Sequence, residues 1–318
     1  LYDRSNPWTK PGNFVGNGPF KLKEWRLNDV LAVEKNPDYW DADTVRLQAI
    51  HFYPMESAET QDRGFRGGRL HNTYEMIPAK IEKYETDSPE ILRKDPYLGS
   101  YFYRYNTTEP PFDDVRVRRA LAMAIDRESI VKNVSRGGQI PANYFTPPST
   151  AGYTTRARIP SDVEAAKALL AEAGYPNGEG FPKASIIFNT SENHRSIAAA
   201  IQEMWRKHLN IEVELNNQEW KVYLDAQRNL QYNISRAGWI GDYVDPNSFL
   251  DMWTSWSLQK QPGWSAPEYD GFIREAGLTN DSEERLELFQ KAEEILMDQA
   301  PILPVYIYTR VYLSLIHI

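Results

Sequence analysis

No cysteine occurs among the 318 residues, which excludes disulfides, thiolate metal sites and a cysteine nucleophile. No apolar run is long enough to cross a bilayer as a helix. The longest apolar stretch, near the C-terminus, is broken by Thr309 and Arg310. Positive charge is short: 36 Lys and Arg stand against 44 Asp and Glu, a formal net charge of −8. Nucleic-acid binding wants a basic face, so no nucleic-acid partner is expected. The five histidines are His51, His71, His194, His208 and His317. No two lie three or four residues apart, so no helical metal pair exists, and they are expected on the surface. There is no Gly-x-Ser-x-Gly elbow. The glycine-rich run Gly12-Asn13-Phe14-Val15-Gly16-Asn17-Gly18 lacks the Lys-Ser/Thr of a phosphate loop and reads as a turn. With no nucleophile–base set and no assignable carboxylate pair, the sequence points away from an enzyme, and no metal or cofactor is expected.

What the chain has in quantity is aromatic surface: 19 Tyr, 12 Phe and 9 Trp. Tyr and Trp join a large apolar face to a polar tip, which suits both a core and a partly wet cleft. Alternation predicts two strands, carrying Phe20, Leu22 and Trp25, then Leu31 and Val33, around a turn at Leu27-Asn28-Asp29, and another strand over 47–53. Residues 56–70 read as a helix ending at Gly67-Gly68. Tyr101–Tyr105 alternates as a strand, and Asp113 stands where the cap of the next helix belongs. Ser161-Asp162-Val163-Glu164 reads as a capping box with Ser161 as cap, and Asp281-Ser282-Glu283-Glu284 as a second box. Between 184 and 250 strands alternate with helices, which implies an α/β layout. A terminal strand is expected over Val305–Val311. After Tyr312 the chain reads Leu-Ser-Leu-Ile-His-Ile, which is similar to translated adaptor sequence, so this tail is expected to be non-native.

Two neighbouring segments are distinctive: Asn217-Gln218-Glu219-Trp220, and Arg236-Ala237-Gly238-Trp239-Ile240-Gly241-Asp242-Tyr243. Together they resemble the ligand-facing motif of bacterial oligopeptide-binding proteins, in the peptide/nickel solute-binding family of ABC importers. Further blocks resemble the same family in the same order. They are Asn17-Gly18-Pro19-Phe20 with Trp25, Asn36-Pro37-Asp38-Tyr39-Trp40, and Pro111-Phe112-Asp113-Asp114-Val115-Arg116-Val117-Arg118. Ala168-Leu169-Leu170-Ala171-Glu172-Ala173-Gly174-Tyr175, Asp245-Pro246, Ser248-Phe249-Leu250 and Pro304-Val305-Tyr306 complete the series.

The resemblance implies a two-lobed α/β fold of the periplasmic-binding-protein type (type II), truncated at both ends. Residues 1–98 would form a partial N-terminal lobe and 99–304 a complete C-terminal lobe, with 305–318 returning to the first lobe. It implies capture of extended oligopeptides between closing lobes, delivery to a membrane permease, a periplasmic or otherwise extracytoplasmic location, and a monomer. Residue by residue, Asp242 matches the position that pairs with the ligand's α-ammonium, and Arg236 one that meets a carboxylate or neighbouring acids. Trp220 and Trp239 match aromatic pocket walls, Gly238 and Ile240 offer backbone groups, and Tyr74 matches a tyrosine on the other lobe's rim. The family's next arginine falls at Gln227, with Arg228 one residue later, so that role is carried to neither. Gly99 and Ile240 stand where close relatives hold cysteines. A same-family binder of dipeptide, murein peptide, oligosaccharide or nickel complex is the nearest rival, ahead of a hydrolase or a peptide-binding chaperone.

Overall fold

The computed structural model describes residues 7–259 and 262–316. His317 therefore lies outside the described residues. The chain divides into two compact units, residues 1–56 and 57–318.

In the first unit, strands β1 (Phe20–Arg26), β2 (Val30–Lys35) and β3 (Ala49–Phe52) form an antiparallel meander. Asn28 takes the left-handed conformation at the β1–β2 turn, where a short polar side chain is tolerated. Buried Asn36 ties the loops together, donating to Gly18 O and accepting from the Asp38 N–H.

The second unit is built on a mixed six-stranded sheet in the order β5-β9-β4-β8-β6-β7. After α1 (Ala58–Arg66) and α2 (Pro78–Asp87) comes the long strand β4 (Leu92–Tyr105). Then follow α3 (Val115–Met123), the single turn α4 (Arg127–Ser129), β5 (Ile140–Pro141), α5 (Val163–Glu172), β6 (Ala184–Asn189) and α6 (Glu192–Leu209). The chain continues through β7 (Val213–Gln218), α7 (Trp220–Arg228), β8 (Ile234–Ile240), α8 (Asn247–Leu250), α9 (Pro267–Ala276), α10 (Ser282–Gln299) and β9 (Ile302–Leu313). β6 runs parallel to β7 and β8, as the alternation of strands and helices requires, whereas β4 is antiparallel to β8 and β9.

The large core surrounds Tyr101, Phe102, Phe145, Trp205, Phe249 and Phe289. Two of the buried cations in this unit donate to backbone oxygens. Arg118 donates to the carbonyls of Gln299 and Ala300 at the end of α10, and Arg127 to those of Pro304 and Ala122. Glu293, also buried, accepts from the Phe145 and Thr146 N–H groups and from Tyr153 Oη. A small core holds Phe65, Met76, Ile81, Leu92 and Leu313. β4 and β9 run through both cores: Leu92 pairs with Leu313 in the small one and Tyr103 with Leu303 in the large one. Between the cores the ladder breaks from Pro96–Thr309 to Ser100–Ile307, so Tyr97, Leu98 and Gly99 stand opposite Tyr308 alone. Pro96 has no N–H to give to a ladder.

Two local expectations change. α5 is capped by Asp162, which accepts from the Ala165 N–H, while the Ser161 hydroxyl accepts from Arg127 and donates to Ile125 O. α3 is capped by Asp114 rather than Asp113. Leu313 is fully buried and ends β9. Asp281 caps α10 as expected.

The small core is clamped by Asp62 of α1, which accepts from Lys80 Nζ at 2.7 Å, Tyr84 Oη at 2.6 Å and Arg66 Nε at 3.2 Å. Burial alone would raise its carboxyl, but the bonds from Lys80 and Tyr84 and the charges of Lys80 and Arg66 hold it below the usual value. A depressed carboxyl stabilises the fold above its unfolded pKa, and the effect fades as pH falls through the folded value. Asp62→Asn should therefore cost about 2 kcal/mol near neutral pH. In urea titrations its deficit against wild type should shrink as pH drops below about 4.

Candidate functional site

The site is organised by β8. Alternation along the strand puts Arg236, Gly238 and Ile240 on one face, and Ala237 and Trp239 on the other. The first face is rich in tyrosine because its partners in β4 are Tyr103, Tyr101 and Gly99, with Tyr306 beyond them opposite Tyr101 in β9. The Arg236 guanidinium lies 4.8 Å from the Tyr101 ring centroid. It donates to Tyr308 Oη at 2.8 Å and to Asn189 Oδ1 at 3.4 Å. Its Nε is buried without a hydrogen-bond partner among the described residues.

Gly238 makes this arrangement possible. A Cβ there would stand 2.6 Å from Tyr308 Oη and 3.3 Å from Arg236 Nη2. Gly99 has a similar reason: its register partner is Ile240, whose side chain occupies the space over it, and a Cβ would also meet Trp239 O at 2.7 Å.

Among the described residues no strand pairs with the β6-facing edge of β8 beyond Ser235, where the β6 ladder stops at Ile187–Ser235. The Gly241 N–H donates to Leu98 O on the β4 side, while Arg236 O accepts from Tyr223 Oη and Gln227 Nε2 on the opposite side. Backbone groups point alternately to the two edges of a strand. The N–H and C=O of Gly238 and Ile240 therefore face the edge that lacks a strand. Just past it, Asp242 is exposed, with its N–H donated to Ser248 Oγ at 2.9 Å. Burial, and then the charge of Asp242, raise the pKa of neighbouring Asp251.

The remaining expected residues are spread around this edge. Trp239, on the far face, donates its indole N–H to Ser248 O at 2.5 Å and is half-buried. Trp220 is 51% exposed at the start of α7 and stacks on Tyr223, whose hydroxyl in turn reaches β8. Tyr74 is 72% exposed and belongs to a cavity of about 150 Å³. Glu75, Met76, Tyr97, Asn193, Tyr306 and Tyr308 share that cavity; Trp220, Arg236, Trp239 and Asp242 are not on its wall. Gln227 is buried on Tyr223 and Ser235, and Arg228 points to Asp225, so neither places a cation at the edge of β8.

Sequence reasoning missed three groups. His194 was expected on the surface, but it is buried, with Nδ1 3.3 Å from Tyr101 Oη. Burial, and then the charge of Arg236, drive its pKa well below the ordinary value, so the ring is neutral at neutral pH. The available signal was spacing: His194 falls on the buried stripe Ile197, Ala198, Ile201 and Trp205 of α6. Tyr308 was visible only as part of a terminal strand. Glu75 had no motif to mark it.

Residues 2–261 match "Bacterial extracellular solute-binding proteins, family 5 Middle". The chain belongs to this family. Among curated family 5 relatives, the periplasmic oligopeptide-binding protein OppA of Salmonella typhimurium is 37% identical over 95% of this chain and 56% of its own length. Among solved structures, the murein tripeptide binding protein MppA of Escherichia coli superposes with a TM-score of 0.92 at 38% identity, over 97% of this chain and 62% of that one. Haemophilus influenzae OppA in complex with the peptide RPPGFSPFR gives a TM-score of 0.88 at 33% identity, over 98% of this chain and 62% of that one. The chain thus spans a little over half the length of these relatives. Among the described residues no helix is long and apolar enough to cross a membrane.

Gly238→Ala should break the Arg236–Tyr308 bond, because Tyr308 is hemmed in by Tyr97, Tyr101 and Tyr306 and cannot retreat. The expected cost is about 1–3 kcal/mol, read as a lower melting temperature by circular dichroism. Gly238→Ala in a Tyr308→Phe background should cost less, since the clashing hydroxyl is gone.

Proposed function

We propose that the protein is an extracytoplasmic solute-binding protein that captures oligopeptides in extended form and delivers them to an ABC importer, without catalysing a reaction. The observation that carries this reading is the strandless edge of β8, with the backbone groups of Gly238 and Ile240 turned outward and Asp242 beside it. An extended peptide adds to such an edge through main-chain hydrogen bonds, which are blind to its sequence. Asp242 then takes the α-ammonium, the one charge every unmodified peptide carries at its start. Arg236, with Nε unpaired, takes or balances a carboxylate. Trp220, Trp239 and Tyr74 flank the side chains.

In this reading the small core, residues 57–98 and the end of β9, belongs to one lobe and residues 99–304 to the other. Ligand contacts with both lobes favour closure, because a ligand shifts such an equilibrium only by its differential affinity. The protein acts as a monomer outside the cytoplasm and meets a membrane permease. The named functions of its family 5 relatives support the same assignment.

The test is calorimetric titration of the full-length gene product with a tri- to pentapeptide and its N-acetylated twin. Acetylation and Asp242→Ala should each weaken binding by about 10- to 100-fold, as expected for loss of a charge-assisted hydrogen bond, and should do so non-additively. If no peptide binds, or neither change matters, the ligand is another solute.

A further inference from the structure

The cavity of about 150 Å³ lined by residues of α2, β4, α6 and β9 has an uneven chemistry. One part is apolar, lined by Met76, Pro78, Ile81 and Val311. The rings of Tyr74, Tyr97, Tyr306 and Tyr308 wall it. Two acceptors reach it with nothing to accept. The Glu75 carboxylate makes no hydrogen bond or ion pair among the described residues; only its backbone N–H is engaged, by Gln61 Oε1. Asn193 reaches it too, with its Oδ1 buried without a partner.

Other charges tune the site without filling it. Burial raises the Glu75 carboxyl, Arg236 draws it back, and Glu192 at the first turn of α6 pushes it up again. Arg236 itself is held on Tyr308 and Asn189. Arg310 contributes to the wall, but its guanidinium lies 4.8 Å from the Tyr312 ring centroid, at the end of β9. The buried Asn193 Oδ1 is costly to leave unpaired, and the half-buried Glu75 carboxylate beside it has no donor among the described residues, so the arrangement calls for a donor from outside.

Resting on the peptide-binding reading, we infer that this cavity is a subsite for a basic side chain, lysine or arginine, of the bound peptide. The apolar wall receives the methylene stem, as amphipathic side chains require, and the tyrosine faces favour a cation. Glu75 and Asn193 Oδ1 accept from the ammonium or guanidinium. An acidic side chain would meet two acceptors, one of them a carboxylate, and an aliphatic one would leave both unpaired. Glu75 is in this sense a specificity-determining residue, separate from Asp242, which would serve the α-ammonium.

The experiment places lysine, norleucine, acetyl-lysine or glutamate at each position of an alanine tetrapeptide and measures Kd for the full-length protein by calorimetry. At one position lysine should bind wild type about tenfold or more tighter than norleucine or acetyl-lysine. That ratio should fall to near one in Glu75→Gln and turn in favour of glutamate in Glu75→Lys, while Asp242→Ala weakens all four peptides alike. Equal binding of lysine and norleucine at every position of peptides that do bind overturns the inference and leaves the peptide reading standing. So does a lysine preference that survives Glu75→Gln. No binding by any of the tetrapeptides overturns both. The lysine, norleucine and acetyl-lysine comparison needs only wild-type protein, so it decides the matter even if a Glu75 variant does not fold.

Discussion

The site depends on how one cation is kept away from water without a carboxylate touching it. Arg236 is charged at any accessible pH and sits in the middle of a sheet face. A desolvated guanidinium with no compensation would be too costly to keep. Its compensation is aromatic: the face of Tyr101, the hydroxyl of Tyr308 and the amide oxygen of Asn189. From this follow several other features. Gly238 must lack a side chain so that the arginine and Tyr308 can meet above it. His194, kept neutral mainly by burial, faces the same charge. Glu75 answers the charge from a distance rather than by contact, which leaves its carboxylate available.

Much of the architecture was legible because it follows from local periodicity. The β1–β2 hairpin, α1 with its glycine stop, the amphipathic α6, α10 with its Asp281 cap and the α/β alternation after 184 are patterns of short range. What was not legible is what long-range pairing decides. β4 was read as a five-residue strand, yet it extends back to Leu92, through Pro96 and residues such as Lys94 and Asp95, because β9 lies beside it. The caps at 114 and 162 each sit one residue past the expected Asp or Ser. In the second case the Ser161 hydroxyl is drawn to Arg127, a contact no local rule contains.

The site shows the same division. The segment from Arg236 to Asp242 stood out through its resemblance to a known motif, and the structure makes it one continuous strand and turn. Gln227 is buried against Tyr223, and Arg228 pairs with Asp225. Glu75, His194 and Tyr308 could not be grouped from sequence, because they come from the loop before α2, from α6 and from β9, which are far apart in the chain. A lone glutamate after a tyrosine looks like any surface acid until its surroundings are known.

The interruption between Pro96 and Ser100 has a mechanical meaning. A paired two-stranded ribbon is stiff against bending in proportion to the continuity of its ladder. β4 and β9 form such a beam on either side of the gap, but not across it. Compliance is therefore concentrated in a joint of three residues facing one. Tyr97 is part of that joint, meets Tyr308 edge-on and lines the cavity. A rotation of one core against the other would bend the beam there and reshape the cavity wall in the same movement.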